Sequence, residues 1–256
     1  MNTRVKNVFL AAAMVAANFG SVHISYGQFN IGGKECSIGI RAGANFTKMG
    51  GDLADMNFDM EFTSLDASAP SKFKPGFQLG VVLTIPFNDQ LMLQPGFVFA
   101  QQGAKWEASG SESLGILGEM KYSASAQFDM NYFQFPVNFI YRYDMSSSIA
   151  LLLQAGPYLG YGIGGKMKMD MSVSMSLMGI TENESENLKS DINFGGDKDK
   201  HHFKAADLGL GIGAGMLLAE KFQVSLGYNL GLADIGHYLV AKNRGFAFTL
   251  TYMLGK

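Results

Sequence analysis

A single cysteine, Cys36, rules out an intrachain disulfide in this 256-residue chain. Charge is scarce as well: charged residues make up 16% of the chain and the net charge is −2. No basic field therefore points to nucleic acid. The chain has no run approaching the roughly 18 uninterrupted apolar residues of a transmembrane helix. Its four histidines fall into no catalytic or metal-binding motif. Catalytic, cofactor-binding and metal-ligating residues are accordingly all predicted as none, and no cofactor is expected.

Glycine and methionine are abundant, at 32 and 16 residues. The glycine share is well above the roughly 7% of ordinary proteins. Cys36 reads as a buried or periplasm-facing free thiol. The preceding "GGKE" lacks the apolar and small residues of a lipid-attachment site.

The first 27 residues read as an export signal. Arg4 and Lys6 precede an apolar run from Val8 to Ala17. Ser25 and Gly27 follow with signal-peptidase spacing, so cleavage is predicted after Gly27. Residues 28–256 are predicted to form one domain.

Past residue 36 the apolar period is two, the period of a strand. Ile38, Ile40, Ala42, Ala44 and Phe46 share one face. So do Phe77 through Phe87, Leu91 through Phe99, Phe133 through Tyr143, and Ile149 through Ile163, each taken at odd positions. Ala206 through Leu218, Phe222 through Leu232 and Arg244 through Leu254 repeat the pattern at even positions. That predicts eight strands. Short turns at 88–90, 144–148 and 219–221 alternate with longer connections near 47–73, 104–128, 164–202 and 233–243. An even strand count, with short turns at one end and long loops at the other, predicts an all-β fold: an eight-stranded antiparallel transmembrane β-barrel.

A soluble barrel with an apolar interior is the competing architecture, and the two faces discriminate. The apolar face is rich in aromatics and carries one charge, Arg244, near a strand start. The other face carries glycines with Arg41, Gln78, Gln94, Gln134, Gln154 and Asp207. A narrow barrel has little room inside, so small and polar residues belong in its lumen. Aromatics near strand ends suit two interfacial girdles: Phe87, Tyr141, Tyr143, Phe222 and Tyr252 at one end, Phe46, Phe133, Tyr161 and Phe246 at the other. Both chain ends are expected on the short-turn, periplasmic side, with the long loops extracellular.

"GIRAGANFT" at 39–47, "KPGFQLGVVLTIPFNDQLMLQPGFVFAQQGAK" at 74–105, "NYFQFPVNFIYRY" at 131–143 and "LLLQAGPYLGYGIGGK" at 151–166 carry a family likeness. "LGLGIGAGML" at 208–217, "YNLGLADI" at 228–235 and "KNRGFAFTLTYML" at 242–254 complete it. In these pieces and their order the chain resembles the PorT-like outer-membrane β-barrel family of Bacteroidetes. The resemblance implies a Gram-negative outer-membrane location and no enzymatic activity, and it supplies no catalytic residues. Some members are linked to protein secretion. The ending "YMLGK" departs from the terminal aromatic such barrels often carry.

Inward Arg41, Arg142 and Asp207 are expected to join a hydrogen-bonded lumen network. Asp234, His237, His201 and His202 come to one rim, where a hydrolase or metal site would need a base, an orienter and a nucleophile. Residues 181–202 read as a mixed-charge mobile tip.

The methionines concentrate in the long connections, above all Met167, Met169, Met171, Met175 and Met178 of "KMKMDMSVSMSLMGI" at 166–180. Thioethers bind Cu(I), but the stretch lacks a nearby cysteine or histidine. Met167 through Leu177 at odd positions are read as continuing the lipid-facing register of Ile149 through Ile163. Strands are then expected to rise beyond the bilayer as hairpins, each with an apolar face. Those faces pack together or bind a partner.

The function expected is a non-enzymatic surface protein, structural or binding through its outer loops. The expected partners are the lipid bilayer, lipopolysaccharide, and a protein or apolar ligand at the loops. A narrow channel, a secretion-accessory barrel and a barrel-embedded hydrolase are the alternatives.

Overall fold

The computed structural model describes residues 28–31, 34–59, 66–113, 115, 118–177, 180–197 and 202–254. The export segment 1–27, His201 and Met178 lie outside them. In chain order the strands are β1 (Gln28–Ile31), β2 (Lys34–Gly51), β3 (Asp55–Asp59), β4 (Asp66–Pro70), β5 (Lys74–Pro86) and β6 (Leu91–Ser113). They continue with β7 (Gly118–Ser146), β8 (Ile149–Leu177), β9 (Ile180–Ile192), β10 (Ala206–Leu218), β11 (Phe222–Gly231) and β12 (Ala241–Met253).

Eight of them form a closed antiparallel ring in the order β2, β5, β6, β7, β8, β10, β11, β12. β12 then pairs with β2, from Ala241 opposite Gly51 to Met253 opposite Gly39. Closure satisfies the backbone groups that a sheet edge would leave open in an apolar solvent. β1 adds a short hairpin strand to the foot of β2, and β3 and β4 form a separate hairpin.

Tight turns join the strands at one end. Asn88 Oδ1 accepts the backbone N–H groups of Gln90 (2.9 Å) and Leu91 (2.7 Å), a local Asx turn. Ala219 and Glu220 turn the β10–β11 hairpin at φ +48° and +57°. Two-residue hairpins favour that geometry, but it strains residues with a Cβ. Cys36 is fully buried near this end.

Around the ring the outward side chains form an apolar belt. Phe139 is 57% exposed and Ile212 68% exposed. So large a continuous apolar surface fits lipid, not water. The rings of Phe97, Phe99 and Phe133 pack on one another at the long-hairpin edge of the belt. Phe73, Phe246 and Tyr228 do the same farther round.

β7 and β8 are 29 residues each and run far beyond the belt. A tilted strand needs about 9–11 residues to cross a bilayer. Residues 101–113 of β6, 118–130 of β7 and 165–177 of β8, with β9, form a four-stranded outer sheet.

The outer sheet corrects two expectations. Residues 181–192 of the expected mobile tip belong to strand β9, which is paired along its length with β8. Their mixed polarity fits a strand wetted on both faces, which has no alternation to reveal it. The second correction concerns the methionines. Asn131 faces Gly164 whereas Tyr132 faces Gly162, so Ile163 is the extra residue of a β-bulge. Gly164 takes φ +149°, a conformation that disfavours any side chain. One extra residue reverses every side chain beyond it. Ile163 points to the belt, but Met167, Met169, Met171, Val173 and Met175 then lie on the lumen side, opposite Phe128, Ala126, Ala124, Tyr122 and Met120. Lys166, Lys168 and Asp170 take the outer face, as solvent above the lipid requires.

Candidate functional site: a closed lumen beneath an outer sheet

The lumen is blocked at three levels. Nearest the short turns, buried Ile140, Ala150, Leu152 and Leu217 pack together with Met92. These inward apolar side chains were not anticipated in a lumen expected to be small and polar. They fill the barrel as a small soluble core would.

Above them lies a polar crossbar. Arg41, 6% exposed, donates from Nε to Thr251 Oγ1 (3.1 Å) and from a terminal nitrogen to Gln94 Oε1 (2.5 Å). Gln94 Nε2 donates to Thr84 Oγ1 and to Gln223 Oε1, both at 3.0 Å. Five strands, β2, β5, β6, β11 and β12, are thereby tied across the lumen. Over the crossbar sits a cavity of about 60 Å³, lined by Arg41, Gln78, Gln134, Gln154, Tyr158 and Asn229 among others. That is room for a few waters, not for a solute stream.

Asp207 is fully buried higher up. Its Oδ2 accepts from Asn243 Nδ2 (3.0 Å) and from Tyr158 OH (3.5 Å), and Asn243 also donates to Tyr132 OH (3.3 Å). Arg41 and Asp207 therefore join lumen networks as expected, in two separate tiers. Arg142 does not join them. It sits at the turn rim and grips Glu220 with both terminal nitrogens (2.5 and 2.8 Å), while its Nε meets Asp144 (2.6 Å). Glu220 belongs to the strained turn, so this bidentate tie braces that hairpin. Nothing in the alternation reveals a partner supplied by a turn.

The third level is an aromatic plug. Trp106 of β6 meets Phe128 of β7 at 5.0 Å, Phe128 meets Phe203 at 6.0 Å, Phe203 meets Phe194 at 6.0 Å, and Phe194 meets Tyr132 at 5.4 Å. Met49, Ala69, Met130, Ile192, Ile235 and Ala241 complete the buried cluster. Met167 and Met169 pack against it, which is what covers the lower part of the methionine face. The connection after β9 folds back to bring in Phe194 and Phe203, and Phe203 bridges Gly236. Glycine at 162 makes room, because a Cβ there would run into the Phe194 ring. Trp106 Nε1 donates to the Leu53 carbonyl at 3.1 Å.

Among the described residues the histidine rim shows no catalytic constellation. Asp234 Oδ2 pairs with Lys204 (2.9 Å), and Oδ1 accepts the backbone N–H groups of Gly236 (3.0 Å) and Ala241 (2.9 Å). Burial pushes its carboxyl pKa up, but Lys204 and the two amides together outweigh this and hold it below its ordinary value. His237 Nε2 lies 2.9 Å from the Gly195 carbonyl, and His202 Nδ1 accepts from the Asn193 N–H (3.3 Å). Both carboxylate oxygens of Asp234 serve a loop clasp instead of an imidazole.

At the foot of the outer sheet, Asp129 pairs with nearly buried Lys74 (2.7 Å) and with Lys168 (3.2 Å). Burial pushes its carboxyl pKa up, but hydrogen bonds from Lys74, Gln127 and Lys168 prevail, leaving it below its ordinary value. Higher on the inner face the cover ends. Met171, Val173 and Met175 are 41%, 40% and 37% exposed.

Several solved barrels align with the chain. Ail, the attachment invasion locus protein of Yersinia pestis, aligns at 15% identity and TM-score 0.38, covering 84% of this chain and 97% of its own. Neisserial surface protein A aligns at 13% identity and TM-score 0.36, covering 85% and 97%. The translocator domain of the autotransporter NalP from Neisseria meningitidis aligns at 10% identity and TM-score 0.26, covering 96% and 97%. No curated protein matches. The family model described as "Outer membrane protein beta-barrel domain" matches residues 26–236, which is most of the ring up to β11. The chain belongs to that outer-membrane β-barrel family.

Proposed function

We propose that the protein is a non-enzymatic surface barrel that docks a partner on its outer sheet. In this reading residues 1–27 are an export signal, the short turns and chain ends face the periplasm, and the outer sheet stands outside the cell. The belt contacts lipid and lipopolysaccharide. The PorT-like pieces support assignment to that branch of the family.

One contrast carries the reading. The lumen is obstructed by the Arg41 crossbar and the aromatic plug, whereas residues 180–191 of β9 are all exposed. A chain built to conduct would not fill its lumen and extend two of its strands into solvent. The Asp234 clasp gives no support to a hydrolase.

Labelling of intact cells tests the display. In a Cys36→Ser background, Ser185→Cys in β9 should react with a membrane-impermeant maleimide. Ser147→Cys in the β7–β8 turn should react only after lysis. The opposite pattern would overturn the orientation and the docking role with it.

A further inference from the structure

The outer sheet ends on β9, which pairs with β8 and with no other described strand. Its far edge presents thirteen residues of extended backbone. Such an edge is a template for another strand, and proteins usually keep theirs short or covered.

The side chains of β9 indicate what fits there. Glu182, Glu184 and Glu186 lie opposite Met175, Val173 and Met171, so all three carboxylates share the inner face. They recur at every second residue, about 6.6–6.8 Å apart along the strand. None of the three forms an ion pair among the described residues. The lysines of β8, Lys166 and Lys168, point to the opposite face. The inner face of β9 is therefore acidic beside an exposed apolar row.

A second copy of the chain is a poor occupant. Two β9 edges paired antiparallel would set glutamates against glutamates, and like charges directly opposite destabilise a ladder. An extended segment with Lys or Arg at alternate positions does the reverse. Its cations would stand across from Glu182, Glu184 and Glu186.

We propose that β9 is a strand-addition site for an extended basic peptide segment, read by its alternate cations. The proposal rests on the docking role of the outer sheet and names the partner chemistry. Backbone hydrogen bonds supply the pairing, and the glutamate row supplies register and selectivity.

The test uses the full chain in lipid nanodiscs and a fluorescent thirteen-residue peptide alternating lysine with threonine. Anisotropy should show binding that weakens with salt. A peptide with glutamate in place of lysine should not bind. Glu182→Gln, Glu184→Gln and Glu186→Gln together should weaken binding by about tenfold or more, as expected from losing three cross-strand charge pairs. These side chains are exposed, and emission from buried Trp106 verifies that the variant keeps its plug. N-methylation of alternate amides in the lysine peptide should weaken binding at least as much, without any change to the protein. Equal binding of the N-methylated peptide would replace strand addition with simple electrostatic adsorption and overturn the proposal. Unchanged affinity of the triple variant, or no binding by the lysine peptide, would overturn it too. Either failure leaves the cell-labelling result standing, so it is distinguishable from a failure of the docking role.

Discussion

Two one-residue changes at the bulge should have opposite consequences. Deleting Ile163 leaves Gly162 facing the lumen, Gly164 facing outward and Gly165 facing the lumen, which is a regular ladder. The methionine face keeps its direction. What is lost is one side chain, already 46% exposed, so the cost is on the order of 1 kcal/mol. Inserting one serine between Asn131 and Tyr132 instead reverses residues 118–131 of β7. Phe128 and Met130, 7% and 0% exposed, would leave the plug, at about 1.5–3 kcal/mol each or roughly 3–6 kcal/mol together. Asp129 would turn toward the plug and abandon Lys74. Trp106 is the chain's single tryptophan and is fully buried against Phe128, so its emission reports the plug directly. The deletion should leave that emission at short wavelength. The insertion should shift it toward the value of an exposed indole. If the deletion shifts it as far as the insertion does, the bulge does not set the facing of the outer sheet.

Three further outcomes are expected. Ala219→Gly relieves a left-handed residue and should stabilise the barrel by up to about 1–2 kcal/mol, read by equilibrium unfolding in detergent. Asp129 titrates lower in the folded state than in the unfolded one, so its contribution is present above the unfolded carboxylate value of about 4 and lost as pH falls through the folded value. Hydrogen exchange at the foot of the outer sheet should therefore rise in acid, and Asp129→Asn should flatten that dependence. Arg41→Met leaves acceptors on Gln94 and Thr251 buried without their donor, at a cost of about 1–3 kcal/mol, visible as loss of the compact electrophoretic form at a lower temperature.

The belt and the ring were legible in the sequence because each strand solves the same problem, apolar outward and small or polar inward, with period two. That regularity held through the eight ring strands within the belt, apart from the inward Ile140, Leu152 and Leu217. The rise of β7 and β8 beyond the lipid was also legible, since alternation in "MKYSASAQFDMNY" and "KMKMDMSVSMSLMGI" outran any bilayer. The bulge was not, because one residue inside a glycine-rich run changes no composition. A signal did exist. Residues 166, 168, 170, 172, 174 and 176 are Lys, Lys, Asp, Ser, Ser and Ser. Above the lipid that row belongs outward, which forces the methionines inward. β9 escaped notice because both its faces are wet. The plug was hidden because Trp106, Phe194 and Phe203 come from distant segments and meet only in three dimensions.

Planar-bilayer conductance of the purified wild-type protein tests the closed lumen most directly. A lumen filled by the crossbar and the plug should leave the bilayer silent, with no unitary openings after insertion is verified by protease protection. Stable, reproducible channels from wild-type protein would contradict it.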